Sequence, residues 1–132
     1  MSEKQKLLIV DDSELNRDIL KEILGSRYDY MEAENGTQAI QILEVHPEID
    51  LMLLDINMPQ MNGFQVLEHM RELQWIDEVP VVMISSEESV EIMRKAYDLG
   101  ITDYISRPFD AVIVKKRVQN TLGLYANQKR LI

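Results

Sequence analysis

The residues able to do chemistry stand just after apolar runs. Asp11 and Asp12 end the run at 6–11 (KLLIVD), and Asp55 follows the run at 49–54 (IDLMLL). Ser85 and Ser86 follow 80–84 (PVVMI), and Arg107, with Pro108 behind it, follows 101–106 (ITDYIS). Hard carboxylate oxygens without thiolate or imidazole favour Mg²⁺ or Mn²⁺. A carboxylate beside such an ion can attack phosphorus and become an aspartyl phosphate. The Ser85 hydroxyl and the Arg107 cation would then take the remaining phosphoryl oxygens. Each residue alone has a plainer meaning: a helix cap at Asp12 or Ser13, a turn at Asp55 or Ser85, a surface ion at Arg107. Their joint occurrence at four run ends carries the chemical reading.

Those positions make sense only if the runs are strands of one sheet. Apolar residues at helical spacing separate them. Leu15, Ile19, Leu20, Ile23 and Leu24 mark a first helix over 14–24, stopped by Gly25. A weaker strand at 28–34 follows. After the turn Asn35-Gly36, Ala39, Ile40 and Leu43 mark a second helix that ends before Pro47. The stretch 55–63 (DINMPQMNG) reads as a loop. Phe64, Val66, Leu67 and Met70 begin a third helix, with Trp75 in the connection after it. Val90, Met93, Ala96 and Tyr97 form a fourth helix closed by Gly100. Asp110 is placed to cap a fifth, which carries Val114, Val118, Leu122 and Tyr125. The pattern predicts an α/β fold of the (βα)5 kind, a doubly wound parallel five-stranded sheet covered on both faces. In such sheets the ligand site lies beyond the carboxyl ends of the strands. If strands one and three are neighbours, about 4.8 Å apart, three carboxylates converge. They need a cation or a guanidinium between them.

Composition removes other classes. At 132 residues the chain is one domain's length. Cysteine is absent, which excludes disulfides, thiolate nucleophiles and thiolate-held zinc. His46 and His69 are the only imidazoles, both expected on the surface, with no partner at metal spacing. A net charge of −9 repels phosphate backbones, so this domain alone should bind neither nucleic acid nor an anionic membrane. No segment approaches the ~18 apolar residues of a membrane span, and the N-terminus lacks a signal-peptide core. A cytoplasmic location is the expectation. Among the methionines, Met58 and Met61 fall in the 55–63 loop, and Met83 and Met93 read as core filler.

The chain resembles the receiver domains of two-component response regulators over about residues 5–125. The resemblance rests on Asp11-Asp12, on Asp55-Ile56-Asn57-Met58-Pro59 with Gly63, on Ser85, on Tyr104, and on Arg107-Pro108-Phe109. Glu34-Asn35-Gly36 also resembles a common family turn. The resemblance implies a flavodoxin-like sheet order of 2-1-3-4-5. It implies that Asp55 accepts a phosphoryl group from a histidine kinase or a phosphotransfer protein. Mg²⁺ (or Mn²⁺) would be held by the side chains of Asp12 and Asp55 and the backbone carbonyl of Asn57, with Asp11 acting mainly through water. Ser85 would bond the phosphoryl group and draw its loop inward, Tyr104 would turn inward, and the peptide before Pro108 would be cis. Asn57 and Glu87 sit where the family tunes hydrolysis of the acyl phosphate. Such a chain assists its own phosphorylation and dephosphorylation without being an enzyme on another substrate.

One position departs from the family. Arg107 stands where a lysine is usual, and a planar five-donor fork is not equivalent to a compact ammonium. Three arrangements are open: a bidentate grip on a phosphorylated Asp55, a salt bridge locking the unmodified Asp55, or a side chain outside the pocket.

The function expected is a phosphorelay switch. Phosphorylation would change the face made by the fourth helix, fifth strand and fifth helix, which then binds a partner, an output domain or a second copy as a homodimer. Lys115-Lys116-Arg117 reads as the solvated side of the last helix, the alternative being pairing across a dimer with Glu91 and Asp98. The main alternative is a pseudo-receiver, a docking module whose phosphorylation Arg107 impairs. A flavin carrier is disfavoured because Asp11-Asp12-Ser13-Glu14 repels a phosphate. A phosphohydrolase is disfavoured because position 57 is Asn where a second acid is needed. Residues 1–126 are expected to form the receiver, with 127–132 a helical tail or the start of a linker to an output domain.

Overall fold

The structure, a computed structural model, describes residues 4–58, 61–86 and 89–130. Strands and helices alternate: β1 (Lys6–Val10), α1 (Glu14–Leu24), β2 (Asp29–Ala33), α2 (Gly36–Val45), β3 (Leu51–Asp55), α3 (Gly63–Glu72), β4 (Val81–Ser85), α4 (Val90–Asp98), β5 (Asp103–Ser106) and α5 (Ala111–Arg130). All pairings are parallel, in the order β2-β1-β3-β4-β5. This is the (βα)5 fold and the sheet order expected.

Strand periodicity explains the two cores. Leu8, Val10, Met52, Leu54 and Met83 point to one face, where Ala39, Leu43, Val66, Leu67, Met70 and Ala96 of α2, α3 and α4 cover them. Leu7, Ile9, Leu51, Leu53, Val82, Ile84 and Ile105 point to the other, against Leu20, Leu24, Val114, Val118 and Leu122 of α1 and α5. A slip of one residue would exchange the faces, so the pattern fixes register. In register, Ile9 lies beside Leu53 and Val10 beside Leu54. One step further brings Asp11 beside Asp55. Asp11, Asp55 and Arg107 also share the parity of Ile9, Leu53 and Ile105, so all three leave the sheet on the same side.

The helix starts follow short polar side chains. Ser13 Oγ accepts from Asn16 N–H at 3.3 Å, and Asn35 Oδ1 from Gln38 N–H at 2.8 Å. Asn62 and Gln65 form a reciprocal capping box, each satisfying the other's backbone N–H. Asp110 caps α5 through Val112 and Ile113 N–H at 2.9 and 3.1 Å. Some strand edges shift from the expected ones. β3 gains Asp55 and starts only at Leu51, because the Asp50 carboxylate is occupied by Lys6 N–H at 2.9 Å. β5 starts at Asp103 because Ile101 N–H still bonds back to Ala96 of α4 at 3.2 Å. Trp75 opens a turn of 3-10 helix (Trp75–Asp77). Met83 is in the core as expected, but Met93 is only partly buried. His46 and His69 are half-buried, not fully exposed. Among the described residues no helix is long and apolar enough to cross a membrane.

Candidate metal and phosphoryl site

The acidic cluster forms where β1 and β3 end. Asp11 N–H bonds to Ala33 O on β2 at 3.1 Å, continuing the β1 ladder past the strand. Ile56 N–H likewise bonds to Ile84 O at 3.2 Å beyond β3. These bonds hold Asp11 and Asp55 on extended backbone with almost no solvent contact, 0% and 1% exposed. Asp12, the next residue, is exposed. One carboxylate oxygen from each of Asp11, Asp12 and Asp55 lies within 4.8 Å of the others. No other triad of acids or histidines among the described residues comes so close.

Each buried acid is fixed by its own loop. Asp11 Oδ1 accepts Ser13 N–H at 2.9 Å, and Asp55 Oδ1 accepts Asn57 N–H at 3.0 Å. Gly63 presses on the Asp55 loop. A Cβ there would lie 2.6 Å from Ile56 Cα and 2.8 Å from Asp55 O, so no larger residue fits without moving that backbone. Gly63 N–H also donates to Ile56 O at 3.1 Å.

Arg107 enters from beyond β5. Its N–H donates to Ser85 O at 3.0 Å, and the peptide to Pro108 is cis. From there the side chain reaches back past the end of β4 toward the acids at the ends of β3 and β1. Nη2 bonds Asp11 Oδ2 at 2.7 Å and lies 3.1 Å from Asp55 Oδ2. Of the three arrangements open for Arg107, the structure has the salt bridge to the unmodified Asp55, extended to Asp11. Its Nε is buried without a hydrogen-bond partner.

The electrostatics follow. Burial pushes the Asp55 carboxyl above its ordinary value. The Asn57 N–H opposes that, the Asp11 charge adds to it, and Arg107 opposes it. Burial alone would lower Arg107, but its bonds to Asp55 and Asp11 outweigh that and raise it. The donor set fits a small hard cation: three carboxylates, two of them buried, with no sulfur or imidazole ligand.

Ser85, the last residue of β4, is 2% exposed, and its strand partner is Ser106. Tyr104 lies in β5, half-buried, beside Met83. Its ring meets Tyr97 edge-on with centroids 6.5 Å apart, and the Arg117 guanidinium lies 5.0 Å over it. Arg117 also bonds Asp103 Oδ1 at 2.6 Å. Lys115 and Lys116 are exposed as expected, but Arg117 is not a solvated ion. Pro59 and Glu87 lie outside the described residues.

Sequence reading missed Arg17. Its Nη1 donates to Asp11 O at 2.6 Å, and its Nε to Glu32 Oε1 at 2.9 Å. The available signal was a cation near the N-terminus of α1, where the helix dipole disfavours one. Such a residue needs a partner.

A parallel sheet in this order, with acids gathered at its carboxyl end, defines a receiver-type domain on a flavodoxin-like scaffold. The family described as response regulator receiver domain matches residues 7–119, and the chain belongs to that family. It is 35% identical over 120 residues to chemotaxis protein CheY1 of Helicobacter pylori, covering 89% of this chain and 97% of that one. The solved structure of chemotaxis protein CheY4 of Vibrio cholerae superposes with a TM-score of 0.82 at 27% identity, covering 89% of this chain and 98% of that chain. A probable cyclic di-GMP phosphodiesterase of Vibrio cholerae is 34% identical over 116 residues, which is 88% of this chain and only 26% of that longer protein.

Proposed function

We propose that the chain is a phosphorylatable receiver that takes a phosphoryl group on Asp55 from a histidine kinase or phosphotransfer protein. The observation that carries this reading is the convergence of Asp11, Asp12 and Asp55 within 4.8 Å at the strand ends. Asp12, Asp55 and the Asn57 carbonyl would hold Mg²⁺ or Mn²⁺, with Asp11 behind them. When bound, that ion supplies positive charge against the approaching phosphoryl oxygens.

The residues divide the work. Asn57 N–H holds Asp55 Oδ1, which leaves Oδ2 as the attacking oxygen. A P–O bond forms to Oδ2 as the P–N bond of the donor phosphohistidine breaks. The imidazole leaves as a neutral ring, its other nitrogen having carried the proton. Arg107 and the Ser85 hydroxyl bond the new phosphoryl oxygens, and the unsatisfied Arg107 Nε is a donor waiting for such an acceptor. Ser85 and Tyr104 then bias the α4-β5-α5 face between two arrangements. That face would bind a partner, an output domain or a second copy of the chain. Residues 1–126 form the receiver and 127–132 its tail or linker. The function is exercised in the cytoplasm, without nucleic acid or membrane contact by this domain.

The ion pairs of Arg107 with both acids favour one second reading, a docking module that does not phosphorylate. One experiment separates the two. Incubation with a small-molecule phosphodonor and Mg²⁺ should add a single phosphoryl group by intact-mass spectrometry, and none to Asp55→Asn. A chain that stays unmodified while a control receiver is labelled is the docking module.

A further inference from the structure

Asp11 and Asp55 are tethered alike. Oδ1 of each accepts a backbone N–H from two residues on, Ser13 or Asn57. That turns the two Oδ2 atoms toward each other, and Arg107 Nη2 bonds to both. The acids are 0% and 1% exposed, so water does little to separate their charges. The guanidinium is what lets them ionise side by side. A divalent ion drawn to the cluster needs the negative charge of these same acids, which the guanidinium already neutralises.

We propose that Arg107 is a tethered counter-ion that occupies the cation position between Asp11 and Asp55 and must give up Asp11 for a divalent ion to bind. The inference rests on the reading of Asp55 as part of a magnesium-dependent phosphoryl site. It adds that this chain's own residue competes with the metal there. A lysine would compete less, because its shorter stem ends in a compact, strongly hydrated charge that water draws away more readily. The competition is graded. The buried Nε has no acceptor, so the fork is not saturated by Asp11 and Asp55 and has a donor to offer elsewhere. Resting stability without metal and weak metal binding are then two sides of one contact, since what stabilises the empty cluster opposes its ligand.

Magnesium titration calorimetry on the full chain tests this, with the wild type, Arg107→Lys, Arg107→Gln and Asp55→Asn run in parallel. Thermal midpoints in EDTA and in excess Mg²⁺ accompany it, each variant being compared with itself so that its own loss of stability cancels. The dissociation constant for Mg²⁺ should fall about tenfold in Arg107→Gln, within the usual range for coupled ligands, and by less in Arg107→Lys. The Mg²⁺-induced rise in midpoint should follow the same order, smallest in the wild type. Equal affinities in wild type, Arg107→Lys and Arg107→Gln overturn the counter-ion role and leave the magnesium site standing. Tighter binding by the wild type also overturns it, because the arginine would then be assisting the ion. Absence of Mg²⁺ binding in every variant removes both this inference and the metal part of the proposed function.

Discussion

Arg107 and Arg117 make bonds of nearly equal length to an aspartate, 2.7 Å to Asp11 and 2.6 Å to Asp103. Their surroundings differ. The partners of Arg107 are 0% and 1% exposed, whereas Arg117 and Asp103 keep 33% and 28% of their side-chain surface in contact with solvent. Bond length therefore says little about what each contact is worth. Solvation decides it, because a buried charge that loses its partner is stranded, and an exposed one turns to water. One arginine holds a pocket together. The other steadies an aromatic ring on an outer face.

Removing the buried contact should have the largest effect. Arg107→Gln in EDTA is expected to lose about 3 kcal/mol, the lower end for breaking a buried pair, since Asp55 can escape by taking a proton. Differential scanning calorimetry should show the midpoint fall by roughly 10 °C. The deficit should widen as pH rises, because the stranded carboxylates then ionise. A loss no greater than that of Arg117→Gln would mean that water reaches the cluster and that the two sites are alike.

Gly63→Ala comes next and sharpens the comparison by disturbing the pocket without touching a charge. The added methyl meets Asp55 O and Ile56 Cα, backbone that cannot swing aside as a side chain would. About 1–3 kcal/mol of overpacking is expected by chemical denaturation, with weaker Mg²⁺ binding. Unchanged stability would show that the Asp55 loop yields easily.

Much of this was legible in the sequence. Apolar runs with period two and helices with period 3.6 specify the elements, and short polar residues mark the helix starts. Reading the ends of the apolar runs singled out Asp11, Asp12, Asp55, Ser85 and Arg107, of which the structure brings Asp11, Asp12, Asp55 and Arg107 together. What the sequence left open was where long side chains go. Arg107 had three destinations, and the choice depends on the depth of two acids whose burial no pattern states. Arg117 read as a solvated ion because it follows Lys115 and Lys116 in the sequence, although a helix turns each residue about 100° from the last. Its bond to Asp103 and its position over Tyr104 come from a strand fourteen residues back. Strand ends drifted by one or two residues where a side chain or helix carbonyl took a ladder N–H, as at Asp50 and Ile101.

Asp55→Asn probes the acid side of the buried contact, and its sign is opposite to that of Arg107→Gln. Burial raises the Asp55 carboxyl above 3.8, so the folded chain holds this proton more tightly than the unfolded one. The group's contribution to stability is therefore present below the unfolded value and is lost as pH rises through the folded one. Asp55→Asn never ionises and escapes that loss. Its midpoint relative to the wild type should climb in EDTA as pH rises above the unfolded value, and level off once pH has passed the folded one. A difference that stays flat with pH would mean that Arg107 fully offsets the burial of Asp55.

The smallest effect belongs to Arg117. Its bond to Asp103 is partly solvated, and pairs of that kind are worth about 0–1 kcal/mol. The guanidinium over Tyr104 adds roughly 0.5–1 kcal/mol at an exposed site. Arg117→Gln should therefore lower the midpoint by only a few degrees, by roughly 3 °C for each kcal/mol in a chain of this size. Its effect should appear in the ring instead. Tyr104 loses the cation over its ring and keeps Tyr97 and the core beside it, so its aromatic NMR resonances should shift and broaden while those of buried Tyr28 stay in place. Mg²⁺ affinity should not change, because Arg117 touches none of the three acids. If Arg117→Gln altered Mg²⁺ binding as strongly as Arg107→Gln, the ring and the pocket would be one coupled unit. Tyr104 would then report the state of Asp55 through β5, and the division between holding the pocket and steadying the face would dissolve.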